Sequence, residues 1–315
     1  MQAYAYPLLI RHLLHTPLAN APAQEIIHAD VSRYTYRDLA TRIGRLASAL
    51  TGLGLGPGSV VAVMDWDSHR YFECFFAVPM NGATLHTGDV RLSPEQVLYT
   101  INHAEDDAIL LHADFAPLLA KIIDRITRPV KLVLLQDGPT EPPAGLDLAG
   151  EYEALLAAGD PDYAFADFDE NTRATLFYTT GTTGDPKGVT YSHRQLVLHT
   201  LGVAAGLGPV PGQGGVHRGD VYMPITPLFH VHGWGFPYVA TLLGLKQVYP
   251  GRYEPAKLLG LIARHGVTFS HCVPTILNML LSAPEAAETD LSRWKVIIGG
   301  SALPEGLAEA ALARG

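Results

Sequence analysis

Residues 177–193 read FYTTGTTGDPKGVTYSH. The stretch sets Thr179, Thr180, Thr182 and Thr183 among Gly181, Gly184 and Gly188, with Lys187 close behind. Glycine lets backbone approach a ligand, threonine supplies hydroxyls and lysine a positive charge. Together they describe a loop that wraps an anion, most simply a polyphosphate. TLFYTT before the loop and KGVTYS after it are strand-like, and Ser192 is placed to cap a helix HRQLVLHTLGVAA. Gly181 and Lys187 have the separation of G-x-x-x-x-G-K-[ST], but Pro186 replaces its second glycine and Gly188 its magnesium-binding hydroxyl. A Walker loop also runs straight into a helix N-terminus. The expectation is instead a flap between two strands, with residues 180–186 mobile in the absence of nucleotide. An ordinary polar hairpin is the alternative.

Outward from the flap, helix and strand signals alternate. Leu39, Ile43, Leu46, Ala47 and Leu50 have helical spacing, with Thr35 as N-cap and Gly52 near the stop. SVVAVMD (59–65), ATLHTG, DAILLHA and PVKLVLL read as strands. SHRYFECFFAVPMNG (68–82), SPEQVLYTINHAED (93–106) and APLLAKIIDRI read as helices. Ser93, Pro94 and Gln96 make a capping box with proline at the first helical position. After the flap, VYMPIT, KQVYP, VTFSHC and WKVIIGG are strands, and GWGFPYVATLLG, EPAKLLGLIARHG and PTILNMLLSAP are helices. This order implies an α/β fold of mostly parallel sheets flanked by helices. The expected division is a first α/β lobe, 1–170, with a Pro/Gly-rich surface connection at 136–150, and a second lobe, 171–315, with the phosphate loop. GLGLGPG (52–58) follows a helix and precedes a strand, the reverse of a dinucleotide fingerprint, so it reads as a helix stop and turn.

Composition narrows the class. The chain has 315 residues, 48% of them hydrophobic, and a net charge of −9. No basic stripe suits a nucleic-acid backbone. Cys74 and Cys272 lie in apolar runs and read as buried thiols in a reducing compartment. The N-terminus makes a poor signal peptide. Residues 221–245 lack formal charge, but their prolines, glycines and histidines suit buried strand, loop and helix better than a membrane span. The expected location is the cytoplasm, free or peripheral at a membrane, and a homodimer stays open.

YTTGTTGDPKGVTYSH resembles the phosphate-binding signature of the adenylate-forming superfamily, which includes acyl-CoA synthetases, luciferases and the adenylation domains of peptide synthetases. PITPLFHVHGWGFPY (224–238) resembles the family segment between nucleotide and carboxylate. VIIGGSALPEGL (296–307) resembles the start of the adenine-binding segment. The wording FHVHGWG, with KQVYPGRYEP and VTFSHCVPTILNMLL, is similar to bacterial medium- and long-chain fatty acyl-CoA synthetases, and the resemblance covers essentially the whole chain. It implies the two-lobed N-terminal body of that fold. It also implies the reaction: a carboxylate attacks the α-phosphate of ATP, giving acyl-adenylate and pyrophosphate, and the thiol of CoA then displaces AMP.

The resemblance implies phosphate contacts from Thr179, Thr180, Gly181, Thr182, Thr183, Gly184 and Lys187, with Thr179 also at Mg²⁺. It implies adenine contacts from Gly300, Ser301 and Ala302, and an acyl wall beginning at Val273, Pro274 and Thr275. His230 would stand beside the carboxylate and α-phosphate, a catalytic role shared with Lys187. As an H-x-H pair, His230 and His232 could also be metal ligands, but no further ligands stand out by spacing, and a core histidine suits His232 better. Trp234, between Gly233 and Gly235, is either a gate to an acyl tunnel or a core tryptophan. Relatives continue with an aromatic–Thr–Glu segment, a ribose-binding aspartate and a lid domain with its lysine, none of which this sequence contains. The expectation is a chain that turns over poorly alone. The rival readings are a ligase for another acid (thioether, aryl or luciferin-like), a binding remnant without turnover, and a histidine-based metallohydrolase.

Overall fold

The structure, a computed structural model, describes residues 6–141, 143–179, 184–210 and 214–315. Its strands are β1 (Glu25–His28), β2 (Ser32–Thr35), β3 (Val60–Met64), β4 (Thr84–Thr87), β5 (Ala108–His112), β6 (Lys131–Leu135), β7 (Leu148–Glu151), β8 (Arg173–Thr179), β9 (Lys187–Ser192), β10 (Val221–Tyr222), β11 (Lys246–Tyr249), β12 (Phe269–Cys272) and β13 (Lys295–Ile298). They form a seven-stranded sheet, β7-β6-β5-β3-β4-β8-β9, and a six-stranded sheet, β13-β12-β10-β11-β1-β2. Neighbouring strands are parallel except β8–β9 and β1–β2, so each sheet ends on one antiparallel edge. VVAVM and AILLH are buried at every residue, which is why they read as unbroken apolar runs.

The division between sheets does not coincide with a boundary at 170. β1 and β2 pair into the sheet of late strands, and β8 and β9 pair into the sheet of early ones. Two other expectations change in detail. The expected helix APLLAKIIDRI is a helix Ala116–Ala120 followed by a 3₁₀ turn Ile123–Arg125. The 136–150 connection ends inside β7, which pairs with β6.

The helix His69–Met80 is buried along its whole length. A helix without a wet face belongs in an interior, and this one lies between the sheets. On the β11 side, Phe72 stacks on Tyr249 with ring centroids 4.9 Å apart. Phe75 stacks on Tyr238 at 5.5 Å, and the Tyr238 hydroxyl donates to the Phe75 carbonyl at 2.9 Å. The same core contains Val61, Val63 and Leu85 of the other sheet. Buried polar groups need partners. Glu73 accepts from the Tyr34 hydroxyl (2.8 Å), the Tyr152 hydroxyl (2.6 Å) and Arg42 Nε (2.7 Å). Arg70 donates to the Gln136 carbonyl (3.0 Å) and to Asp137 (2.6 Å). His69 Nδ1 lies 3.0 Å from His28 Nδ1, one ring donating and the other accepting.

Capping boxes at Thr35–Asp38, Ser93–Gln96 and Ser192–Gln195 start their helices. Both cysteines are buried and free. Among the described residues no helix is long and apolar enough to cross a membrane. The uncharged run 221–245 contains β10, a tight turn and the helix Phe236–Leu243.

The buried histidines make stability depend on pH. Burial, then His69, then Arg70 hold His28 well below its ordinary 6.5. Burial pushes His193 down to about 4, and His232 and His271 to about 3. His12 and His265 are also lowered, chiefly by burial. These rings stay neutral in the fold but take up a proton near 6.5 once unfolded. Their stabilisation is therefore complete above 6.5 and is lost as pH falls toward the folded values, at up to about 1.4 kcal/mol per pH unit for each ring. Burial raises Asp67, to about 7, and also Asp89 and Asp106. Those carboxyls gain stability as pH falls, the opposite sign, and so does His112, where burial is outweighed by the hydrogen bond to Asp137 and the nearby carboxylates. The lowered histidines outnumber them, so the melting temperature falls between pH 7 and pH 5. Thermal unfolding across that range checks this, and a flat or rising Tm would contradict it.

Candidate nucleotide and acyl site

The flap springs from an antiparallel hairpin. The register sets Thr179, the last residue of β8, opposite Lys187, the first of β9. The interior of β8 is buried, whereas Lys187 is exposed on the edge strand. Lys187 thus leaves the backbone directly across the hairpin from Thr179, on an exposed stem. Gly184 has φ +93° with open space where a Cβ would be, a backbone that favours glycine. Pro186 is buried and anchors the returning arm. Thr180, Gly181, Thr182 and Thr183 lie outside the described residues. No helix starts at Lys187 or Gly188; the next one begins at His193, behind the Ser192 cap. The strand–loop–strand expectation therefore holds against the Walker alternative.

The second element is a strained turn. Val231, His232, Gly233, Trp234 and Gly235 have φ of +49°, +56°, +56°, +55° and +73° in succession. A left-handed conformation costs about 1–2 kcal/mol at each non-glycine residue, so it persists only where the surroundings impose it. Here they do. Leu228 N–H donates to Asp67 Oδ1 at 2.9 Å. Thr87 Oγ1 donates to the Phe229 carbonyl at 2.9 Å, and the Arg91 guanidinium lies 5.3 Å from the centre of the Phe229 ring. His230 N–H closes onto the Pro227 carbonyl at 2.9 Å. His199 Nε2 donates to the Trp234 carbonyl at 3.1 Å.

The turn splits the H-x-H pair. His230 is exposed. His232 is buried among Phe177 (5.2 Å between ring centroids), Tyr191 (6.0 Å) and Phe75 (6.1 Å). Burial, then His199, hold His232 neutral, down to about 3. Among the described residues no group of three His, Cys, Asp or Glu is placed to hold a metal ion.

Trp234 meets the other sheet at the ends of β12 and β13. A Cβ on Gly299 would lie 2.9 Å from Trp234 Cη2, and one on Gly300 would lie 2.9 Å from Val273 Cγ1. Glycine is what lets indole and strand end come together. The Trp234 and His271 rings are 5.3 Å apart. Ser301 and Ala302 are exposed just beyond Gly300. Val273 caps the helix Pro274–Leu281, with Pro274 buried and Thr275 exposed in its first turn. Trp234 is half-buried and also lines a cavity of about 270 Å³ with Tyr191, Gln195, Leu196, His199 and His232. The structure thus brings together Trp234, Gly300 and Val273, and sets the base of the hairpin, through Tyr191, against the His232 turn. A second cavity, about 430 Å³, lies along β13 between Leu277, Trp294, Ile298 and Leu312. It is larger, but neither the hairpin nor the strained turn contributes to it.

Sequence reading passed over Asp67, Thr87 and His199. Asp67 and Thr87 stand at the carboxyl ends of the parallel strands β3 and β4, where open α/β sheets place their sites. That position was the available signal.

Comparison with known proteins then decides the family. The family model described as AMP-binding enzyme matches residues 14–315. The chain belongs to the AMP-binding enzyme family. It is 38% identical over 311 residues to a 3-methylmercaptopropionyl-CoA ligase of Ruegeria lacuscaerulensis, covering 96% of this chain and 56% of that protein. It is 41% identical over 280 residues to a long-chain-fatty-acid–CoA ligase of Thermus thermophilus, covering 88% of this chain and 49% of that one. The solved structure of an anthranilate CoA ligase in complex with anthranoyl-AMP superposes with a TM-score of 0.84 at 22% identity, covering 100% of this chain and 58% of the other, which shows the shared fold. The chain spans about half the length of the curated relatives it matches.

Gly235 tests the strained turn. A Cβ there would lie 2.7 Å from the His199 ring, at φ +73°. Gly235→Ala therefore expels His199 from the Trp234 carbonyl and adds about 1–2 kcal/mol of left-handed strain. The expected result is a Tm lowered by several degrees with a shifted tryptophan emission. Unchanged values of both would show that the turn is not held as described.

Proposed function

We propose that this chain is the ATP-gripping and acid-binding part of an acyl-CoA ligase that activates a carboxylic acid as its adenylate. The carrying observation is the adjacency of the Thr179–Lys187 hairpin to a Trp234-walled cavity, within a chain of the AMP-binding family. The acid's carboxylate oxygen attacks the α-phosphorus of ATP, the bond to the bridging oxygen breaks, and pyrophosphate leaves. Such a displacement asks the protein mainly to position groups and neutralise charge. Lys187 offsets charge on the β- and γ-phosphates, and the flap hydroxyls and N–H groups donate to them. His230 donates a ring N–H toward the carboxylate and α-phosphate. Gly300, Ser301 and Ala302 line the adenine, while Trp234, Val273, Pro274 and Thr275 border the acyl group. The thiol of CoA then takes the acyl group and releases AMP.

Magnesium would balance phosphate charge in this scheme. The described oxygen donors at the mouth of the hairpin are the Thr179 hydroxyl and the exposed Asp185 carboxylate, a single carboxylate. Mg²⁺ prefers one or two carboxylates with phosphates and waters, so the residues present hold it only in part and no step is routed through it.

The acid is proposed to be a fatty acid of modest length. A cavity of about 270 Å³ falls just below the ~300–1,000 Å³ usual for drug-sized ligands. A short thioether acid is the second reading, favoured by the likeness to a 3-methylmercaptopropionyl-CoA ligase.

Two assays test the proposal. The 315-residue chain should bind ATP weakly and form little or no thioester. Lys187→Ala, or Thr182→Ala with Thr183→Ala, should weaken ATP binding about tenfold or more, the worth of a charged hydrogen bond. Robust thioester formation by this chain, or ATP titrations indifferent to both sets of substitutions, would overturn it. Pyrophosphate release measured across fatty, thioether and aryl acids separates the candidate substrates.

A further inference from the structure

We propose that Asp67 and Thr87 are positioning residues for His230, fixing the turn that presents its imidazole to the reacting carboxylate. The inference rests on the acid-activating role proposed above and names the groups that aim it.

Asp67 is 3% exposed and is held from several directions. Its carbonyl accepts from Gly251 N–H at 2.8 Å, an isolated bridge just beyond the end of β11. Of its carboxylate oxygens, Oδ1 accepts the Leu228 N–H at 2.9 Å and Oδ2 accepts the Tyr253 hydroxyl. Leu228 is itself fully buried, so no water can replace that acceptor. Thr87 takes the next residue through the Phe229 carbonyl. Two consecutive residues are thus pinned by side chains from the ends of adjacent parallel strands, immediately before His230. The Pro227–His230 hydrogen bond follows, and then the left-handed run that carries Trp234 to the opposite sheet. Neither Asp67 nor Thr87 need touch substrate; both act through the turn.

Misplacing a reacting group by about 1 Å can cost about a hundredfold in rate. The test measures ATP–pyrophosphate exchange with an acid panel, amide hydrogen exchange over 226–235, and thermal unfolding, on the 315-residue chain and its variants. Asp67→Ala should lower kcat for exchange about ten- to a hundredfold with KM for ATP within about twofold, and should speed exchange of the 228–232 amides. Asp67→Asn keeps an acceptor for Leu228 N–H and should recover most of kcat and protection. Thr87→Val should move both readouts in the same direction by less, and it decides the matter if Asp67→Ala does not fold. The proposal is overturned if kcat and amide protection are unchanged. It is equally overturned if kcat and Tm fall and KM rises together without recovery by asparagine, because that pattern marks a merely structural role. If the unsubstituted chain neither binds ATP nor catalyses exchange with any acid, the functional reading fails. The amide-exchange arm still decides whether these side chains set the turn.

Discussion

The burial of the helix His69–Met80 between two sheets is the constraint on which the remaining structure depends. Each sheet needs an apolar cover, and one helix supplies it to both. The arrangement forces His69, Arg70 and Glu73 out of water. Each then recruits partners from distant parts of the chain: His28 on β1, Asp137 beyond β6, and Tyr34, Arg42 and Tyr152 around Glu73. A buried ion pair is weak evidence of stability, but breaking one is costly. These contacts therefore act as register pins. They allow one placement of the six-stranded sheet against the seven-stranded one, and that placement brings the carboxyl ends of β3 and β4 up to the 226–235 turn.

Much of this was legible in the sequence, for local reasons. Continuous apolar runs marked β3 and β5. Ser93–Gln96 announced its capping box, and Ser192 its N-cap. Pro186 and Gly188, with strand-like flanks, separated a flap from a Walker loop. The β1–β2 hairpin was not legible. Its strands are short, and β1 finds its parallel partner β11 more than two hundred residues away, so the pairing that moves it to the other sheet leaves no local trace. For the same reason the exchange of strands between the two sheets, β1 and β2 into one and β8 and β9 into the other, leaves no mark at the expected boundary near 170.

The candidate site was legible by residue type more than by conformation. FHVHGWG stood out, yet only Gly233 and Gly235 hinted at positive φ. Val231, His232 and Trp234 adopt it against their own preference. Local rules fail there because tertiary contacts win: Asp67 and Thr87 from one sheet, His199 from the helix His193–Leu207, and the glycine-walled strand end that receives the indole. A lone aspartate after a strand carries no motif, so the groups that impose the strain were harder to see than the strained residues.

That strain has a direction. The turn leaves the seven-stranded sheet at Leu228 and reaches the six-stranded sheet at Trp234, with His230 between the two anchors. A relaxed right-handed path would release the Trp234 carbonyl from His199 and draw the indole away from Gly299 and Gly300. The position of the candidate catalytic imidazole and the wall between the Trp234 cavity and the strand end are therefore one mechanical unit. Loosening either anchor changes both. The steric room at Gly299 and Gly300 and the acceptor at Asp67 serve the same conformation from opposite sheets, and the buried helix His69–Met80 keeps those sheets at the distance the turn must span.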